Sequence, residues 1–334
     1  MTVPLDIAVV GATGNVGEAL VQILEELSFP VATLHLLASM ESAGSSVMFA
    51  GKKIKVREVD SFDFAQAKLV FFAASPAVSR SFAPKAQAAG CAVIDLSGAL
   101  DGAYAVVPEA NAERAGQLPQ PAVITSPTAG AVALAVALAP LKGLLDIERI
   151  QVNACLAVSA QGKEAVGELA RQTAELLNAR PLEPRIFDRQ VAFNLLAQVG
   201  TPDEQGHTGV ERRLVSELRQ LLGLPDLKIS VTCIQVPVFF GDSFSVAVQS
   251  RCPVDLAAVS RALDSAASVE LVEPGDYPTP VGDAVGQDVV YVGRVRRGID
   301  EDEQLNLWLT TDNVRKGGAL NAVQVAQLLI KHMA

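Results

Sequence analysis

The sequence predicts an α/β protein in two parts: a parallel sheet with crossover helices, then a mostly antiparallel sheet. Three observations carry this reading. In the N-terminal part, short apolar runs alternate with stretches of helical periodicity, as in parallel strands joined by helices. After about residue 145, long β-rich runs replace that alternation. Finally, 334 residues at roughly 150 per domain make two domains, and a chain that is 50% hydrophobic and 19% charged can fill two cores. Aromatic residues are only 5%, so Ala, Val and Leu must do most of that filling.

Leu5 to Val10 is an apolar run that ends in Gly11-Ala12-Thr13-Gly14-Asn15-Val16-Gly17. Beyond it, Val16, Ala19, Leu20, Ile23, Leu24 and Leu27 recur at helical spacing, so the segment reads strand, glycine turn, helix. Further strand-like runs are Thr33 to Ala38, Leu69 to Ala74 and Cys91 to Leu96, with a helical stretch at Ala77 to Ala89. The apolar run Ala129 to Leu141 stops at Pro140 and Lys142, well short of the roughly 20 residues of a membrane-spanning helix, and reads as a buried helix. The later β-rich runs are Ile147 to Ser159, Leu227 to Val238, Phe244 to Arg251, Val289 to Arg297 and Gln304 to Thr311. Amphipathic helices are expected at Lys163 to Asn178 and Val254 to Ala266, and an apolar helix at Ala319 to Met333. Such a sheet packs helices on one face and often a partner subunit on the other. Ala179 to Gly206 is polar and irregular and reads as a long surface excursion.

A net charge of −10 sets nucleic acid aside, because an acidic chain gains nothing from counterion release. The cysteines (Cys91, Cys155, Cys233, Cys252) form no CxxC pair, and His35, His207 and His332 show no HxxxH spacing, so no metal site is expected. At least three of the four thiols are expected to be buried and reduced. The N-terminus has no basic region ahead of its first apolar run, so no signal peptide is expected and the protein reads as cytoplasmic.

The glycine turn sits where a dinucleotide pyrophosphate binds, with free helix N–H groups and partial positive charge behind it. The competing reading is a tight turn that uses glycine for steric reasons alone. A ribose-binding acid is expected about 20 residues after the glycines. The second strand ends Leu37-Ala38-Ser39-Met40-Glu41-Ser42. Glu41 there accepts from a ribose hydroxyl and repels a 2′-phosphate, which favours NAD over NADP; alternatively it is a solvated loop charge.

Six motifs in order resemble the aspartate-semialdehyde dehydrogenase family over nearly the whole length. They are GATGNVG (Gly11 to Gly17), LASMESAG (Leu37 to Gly44), VVPEAN (Val106 to Asn111), AVSAQG (Ala157 to Gly162), VGRVRRGID (Val292 to Asp300) and DNVRKGGALNAVQVA (Asp312 to Ala326). The resemblance implies a Rossmann-like N-terminal domain plus an α/β dimerisation domain with a large mixed or antiparallel sheet. It places the domains at 1–128 with 314–334, and at 129–313. It implies a homodimer, or a heterodimer with an active family member, and a nicotinamide dinucleotide as cofactor. The cofactor positions it marks are Gly11, Thr13, Gly14, Asn15, Val16, Ser39, Glu41, Ser42 and Asn321.

The family reduces aspartyl phosphate through a cysteine adduct. By the resemblance, that cysteine matches Ala129 in Ser126-Pro127-Thr128-Ala129-Gly130, and a methyl group cannot attack a carbonyl. A substrate-orienting glutamine matches Leu156. The acid/base histidine matches Asp242, which follows Val236-Pro237-Val238. The arginine for the substrate carboxylate matches Gln235, the phosphate-binding arginine matches Asp101, and the arginine for the cofactor phosphate matches Glu41. Only Arg213 keeps a positive charge, where the family has lysine. This pattern resembles the Usg-type members that lack the catalytic cysteine. A like-charge contact at about 4 Å and an effective dielectric near 20 costs about 4 kcal/mol before screening, which is the whole of a millimolar affinity.

Plainer readings stand beside these. Val152, Ala154 and Leu156 share one strand face, so Cys155 points to the other, as a structural thiol rather than a relocated nucleophile. Gly241-Asp242-Ser243 and Asp101-Gly102 read as turn chemistry first. Trp308 reads as core packing. Arg294, Arg296 and Arg297 form a basic cluster that reads as salt-bridge partners within a dimer, with anion binding as the alternative. Three functional expectations result: a degenerate family member with a regulatory or partner role, an oxidoreductase that uses Asp242 as base on an aldehyde or other small metabolite, or an interaction module without cofactor.

Overall fold

The structure, a computed structural model, describes residues 3–100 and 102–331. The chain divides into two compact units, Met1–Thr128 with Gly318–Ala334, and Ala129–Gly317.

Among the described residues the first unit carries a seven-stranded, all-parallel sheet. Its strands are β1 (Leu5–Val10), β2 (Val31–Ala38), β5 (Arg57–Glu58), β6 (Leu69–Phe72), β7 (Ala92–Asp95), β8 (Tyr104–Ala105) and β9 (Val123–Thr125), in the order β5-β2-β1-β6-β7-β9-β8. A separate hairpin pairs β3 (Ser46–Phe49) with β4 (Lys52–Lys55). Helices α1 (Asn15–Glu26) and α2 (Pro76–Ala88) and the short α3 (Pro108–Asn111) connect the strands. β1 shows why the strands are apolar throughout: Ile7 and Val9 enter the core shared with α1, while Ala8 and Val10 enter a second core shared with Phe82 and Ala83 of α2. A strand buried on both faces needs an unbroken apolar run.

The second unit opens with α4 (Ala129–Leu138), in which every residue after Ala129 is buried. Its six-stranded sheet comprises β10 (Ile147–Leu156), β11 (Lys228–Gln235), β12 (Asp242–Ser250), β13 (Val269–Leu271), β14 (Val290–Arg297) and β15 (Gln304–Thr311), in the order β11-β10-β12-β15-β14-β13. Pairs β10–β11 and β13–β14 are parallel and the rest antiparallel, so the sheet is mixed. One face aligns Val152, Val246 and Leu307 across three strands, all buried. The other aligns Gln151, Ala247 and Asn306.

Helices α5 (Lys163–Leu177), α6 (Gly209–Leu222) and α7 (Leu256–Asp264) belong to this unit. α6 was not among the sequence expectations, although its signal is present. Thr208 caps the helix and Glu211 closes a reciprocal capping box. Helix α8 (Asn321–Leu329) returns to the first unit, where Ala322, Val323, Ala326 and Leu329 join the core of Leu20 and Leu24. His332 and Met333, the end of the expected helix, lie outside the described residues.

Two expectations need correction. Trp308 is not a core residue: it stands half-buried on the polar face of the sheet and donates from Nε1 to the Pro278 carbonyl at 2.9 Å. An indole that keeps one edge wet in this way satisfies its donor without entering the core. Of the four free thiols only Cys91 and Cys233 are fully buried; Cys155 is half-buried and Cys252 exposed. Cys252 lies just past the end of β12, where the chain leaves the core.

Candidate functional site

The glycine turn is built by the edge where β1 meets β2 and β6. Gly11 N–H and Ala12 N–H both donate to the Leu37 carbonyl, which fixes the turn beside the end of β2. Gly11 has φ +86°, and a Cβ there would lie 2.3 Å from the Ala73 carbonyl oxygen. A Cβ on Gly17 would lie 2.0 Å from the Gly11 oxygen. Gly11 and Gly17 therefore serve the fold itself. Gly14 differs, because a Cβ there meets only ordinary contact, 3.5 Å from the Gly11 oxygen.

Gly14 is also the N-cap of α1 and has no side chain with which to satisfy the first-turn N–H groups. Asn15 Nδ2 is buried there without a hydrogen-bond partner. Open helix donors and an orphaned amide donor around a glycine that the fold does not require fit an anionic group such as a dinucleotide pyrophosphate. At the end of β2, Ser39 accepts from Ser42 and Ala43 N–H, which turns the chain and leaves Glu41 exposed. At the start of α8, Asn321 is fully buried. Its Nδ2 donates to the Val106 carbonyl at 3.1 Å and to Ser126 Oγ at 3.0 Å, and its Oδ1 has no partner. Asn111 braces the same segment by accepting from Val107 N–H and donating to the Ala105 carbonyl.

In the second unit, three of the singled-out residues meet at one end of the sheet. Leu156 ends β10, Gln235 ends β11 beside it, and Asp242 begins β12 on its other side. Gln235 is 1% exposed. Its Nε2 donates to the Leu156 carbonyl at 2.6 Å, and its Oε1 accepts from Gln161 Nε2 at 2.7 Å. Asp242 is not the turn residue that was expected. It is a strand residue, 1% exposed, and its Oδ1 accepts from Ala157 N–H at 2.8 Å. Burial pushes its carboxyl up to about 7, the Ala157 bond opposes that shift, and the nearby Asp312 charge adds to it. The turn residue at this place is Gly241, with φ +92°.

Sequence reasoning missed the residues that hold this end together. Asn313 Oδ1 accepts from Gly241 N–H, and its Nδ2 donates to Ser159 Oγ at 3.0 Å. Asp312 accepts from Gly286, Val314 and Arg315 N–H groups. Both residues open the DNVRKGG motif, so the signal was in view. Thr311, the register partner of Asp242, keeps a buried hydroxyl without a partner.

Ala129 is the first residue of α4, and Gly317 lies directly against it: a Cβ on Gly317 would fall 2.5 Å from the Ala129 Cβ. Arg213 on α6 is ion-paired with Glu217 at 2.6 Å. Cys155 lies on the face opposite Leu156, and its thiol is pushed up by burial and then by the Asp242 charge. A thiol so held stays protonated and is a poor nucleophile. Asp101 lies outside the described residues. Arg297 pairs with Asp302 within the chain. Among the described residues, no group of three or more His, Cys, Asp or Glu is placed to hold a metal ion. No described helix is long and apolar enough to cross a membrane.

A parallel-sheet unit with a dinucleotide turn, joined to a mixed-sheet unit, defines a semialdehyde dehydrogenase architecture, and family comparison agrees. Residues 6–118 match the semialdehyde dehydrogenase NAD binding domain, and residues 138–316 match the semialdehyde dehydrogenase dimerisation domain. The chain belongs to the aspartate-semialdehyde dehydrogenase family. It is 59% identical over 333 residues to a USG-1 protein homolog of Azotobacter vinelandii, covering 99% of each chain. It superposes with TM-score 0.97 on the structure of a probable aspartate-semialdehyde dehydrogenase from Pseudomonas aeruginosa, at 58% identity and covering 99% and 100% of the two chains. With aspartate-semialdehyde dehydrogenase II of Vibrio cholerae the TM-score is 0.95 at 40% identity, covering 98% of each chain. The NAD binding domain is thus present, and the dimerisation domain supports a homodimer.

Proposed function

We propose that this chain is a dinucleotide-binding member of the family that does not run its thiol chemistry and acts in a regulatory or partner role in the cytoplasm. The observation that carries this reading is Ala129, which heads α4 and which the motif resemblance aligns with the family's nucleophile. The candidate replacement, Cys155, lies on the strand face opposite Leu156, and its thiol is pushed up by burial. The chemistry of the strand ends agrees with it. Gln235, matching the substrate arginine, uses its amide within the chain, and Asp242 adds acid where the family has histidine. Neither residue offers an anionic substrate a positive charge.

Gly11, Thr13, Gly14, Asn15 and Val16 would hold the pyrophosphate of the cofactor. Ser39, Glu41 and Ser42 would face its adenosine ribose, and Asn321 its nicotinamide end. A nicotinamide dinucleotide, when bound, supplies hydride transfer. Glu41 disfavours a 2′-phosphate, so NAD is the preferred form. Calorimetric titration with NAD, NADH, NADP and NADPH tests this. Binding of the unphosphorylated forms, together with no cofactor-dependent oxidation of aspartate semialdehyde in the presence of phosphate, supports the proposal. Measurable oxidation that disappears in Cys155→Ala overturns it.

One observation favours a second reading. A buried carboxyl held near 7 is suited to giving and taking a proton at neutral pH. On that reading the chain oxidises or reduces a neutral or cationic small metabolite by direct hydride transfer, with Asp242 as acid/base. Any turnover found in a substrate screen must then fall in Asp242→Asn; unchanged turnover removes Asp242 from the role.

A further inference from the structure

On the buried face of the second unit's sheet, the two central strands oppose apolar residues along most of their length. Phe244 lies opposite Leu309, Val246 opposite Leu307, and Val248 opposite Leu305, all buried. The next pair in this series is Asp242 opposite Thr311. Asp242 is 1% exposed and Thr311 0%. Valine has the shape of threonine and the same preference for strands, and it would continue the apolar series. The chain instead buries a hydroxyl there, and that hydroxyl has no hydrogen-bond partner. A buried polar group left unpaired costs stability, so its place directly opposite a buried carboxyl calls for a reason.

Opposed residues of an antiparallel pair have Cβ atoms about 4.5–5.5 Å apart, so rotation of Thr311 about χ1 brings its hydroxyl to the carboxyl. The Ala157 N–H, bound to Asp242 Oδ1 at 2.8 Å, can only donate. A hydroxyl serves both protonation states: it accepts from a carboxylic O–H and donates to a carboxylate. The titratable groups around Asp242 are Asp312, whose charge opposes its ionisation, and the thiols of Cys155 and Cys233, which feel its charge in turn. Helix α4, packed on the same face, carries no titratable residue. None of these groups is a cation, so hydrogen bonds are what they leave to meet the ionised carboxylate.

We propose, on the second reading above, that Thr311 is the positioning residue of Asp242. Its hydroxyl accepts from the carboxylic O–H while Asp242 holds the proton. It turns to donate to the carboxylate once that proton has passed to substrate, and the returning proton reverses the turn. Thr311 itself gains and loses no proton, so Asp242 alone carries the change in charge.

The test follows the side-chain carboxyl 13C resonance of Asp242 with pH in the full chain, cofactor-free, assigned by its loss in Asp242→Asn. Thr311→Val removes the hydroxyl and keeps the shape, whereas Thr311→Ser keeps the hydroxyl. Thr310→Val is the control, because it removes a neighbouring unpartnered hydroxyl on the opposite strand face. A hydrogen bond to a carboxylate is stronger than one to a neutral carboxyl, so losing the hydroxyl disfavours the ionised form. The Asp242 midpoint is expected to rise by about one pH unit in Thr311→Val, a roughly tenfold fall in its ionisation constant. It should stay at the wild-type value in Thr311→Ser and Thr310→Val. By linkage, the urea midpoint of Thr311→Val relative to wild type should fall between pH 5 and pH 8, whereas a hydroxyl that only fills space shifts it equally at both. An unmoved Asp242 midpoint in Thr311→Val, or an equal rise in Thr311→Ser or Thr310→Val, overturns the proposal. No substrate enters this experiment. Unchanged turnover in Asp242→Asn would therefore remove the acid/base reading and leave the titration result standing, while an unmoved midpoint would remove Thr311 and leave that reading intact.

Discussion

The glycine turn of the first unit and the strand ends of the second are both retained motif regions, but they use their polar groups in opposite ways. At the turn, the helix donors lack a side-chain cap and Asn15 Nδ2 lacks a partner, while a glycine that the fold does not need stands between them. At the strand ends, Gln235 bonds to Leu156 and Gln161, and Asn313 bonds to Gly241 and Ser159. A site kept for a ligand leaves donors unspent; a site released from one turns its polar groups inward to satisfy itself. On the proposed function, the contrast separates binding from chemistry within one chain. Asp242 and the unpartnered Thr311 hydroxyl beside it are the exceptions in the second region, and Asp242 offers the sharpest way to break the comparison.

Asp242 carries the largest expected effect. In the unfolded chain its carboxyl releases a proton near 3.8, whereas in the folded chain burial holds the proton up to about 7. Between those values the folded state binds more protons, so this group lowers stability progressively as pH rises from about 4 to 7. Above that range the penalty is fully developed, up to about 4 kcal/mol at 1.36 kcal/mol per pH unit. Asn keeps the acceptor for Ala157 N–H and removes the charge. Asp242→Asn is therefore expected to raise the urea midpoint at pH 8 and leave it nearly unchanged at pH 4. A variant less stable than wild type at pH 8 would mean the carboxylate is stabilised by contacts that the folded chain makes when ionised. A large gain would show a charge kept at the expense of stability, as functional groups are.

The two glycines of the turn sharpen the comparison from the other side. Gly17→Ala drives a methyl into the Gly11 carbonyl, and overpacking of that kind costs about 3 kcal/mol. A fall in Tm of roughly 6–12 °C is expected by differential scanning calorimetry. Gly14→Ala meets open contact, so its stability should stay within about 1 kcal/mol of wild type. Its dinucleotide affinity, read by calorimetric titration, should nevertheless fall by about tenfold or more, because the methyl occupies the approach to the helix donors. Equal affinities in Gly14→Ala and wild type would make the turn a scaffold only.

Most of the fold was legible because burial leaves a pattern. β1, β2, β6, β7 and the long strands of the second unit announce themselves as apolar runs or alternation, since their faces are filled by neighbours, whereas the short β3, β4 and β5 leave no such run and were not expected. α6 escaped because its capping box lies at the end of a polar stretch that suggested only loop. Within the sites, positions were readable by motif, but environments were not. Nothing local in Gly241-Asp242-Ser243 says that the carboxyl is buried; that follows from β10 and β15 flanking it, which is a long-range fact. Likewise Thr33 to Ala38 located Glu41, but only the structure shows its side chain exposed past the end of β2.

Glu41 supplies the smallest effect and the cleanest discrimination. The carboxylate stands in solvent, so screening limits its reach, and a charge contact there is worth about 1 kcal/mol rather than the several expected of a buried pair. Replacing it with arginine exchanges repulsion of a 2′-phosphate for attraction, two such contributions in the same direction. Glu41→Arg is therefore expected to shift the ratio of NADP to NAD affinity by about tenfold or more, with Tm unchanged, and the shift should shrink as salt is raised. The same ratio before and after substitution would place Glu41 outside the ribose subsite. If both forms weaken equally, the end of β2 shapes the loop rather than reading the cofactor.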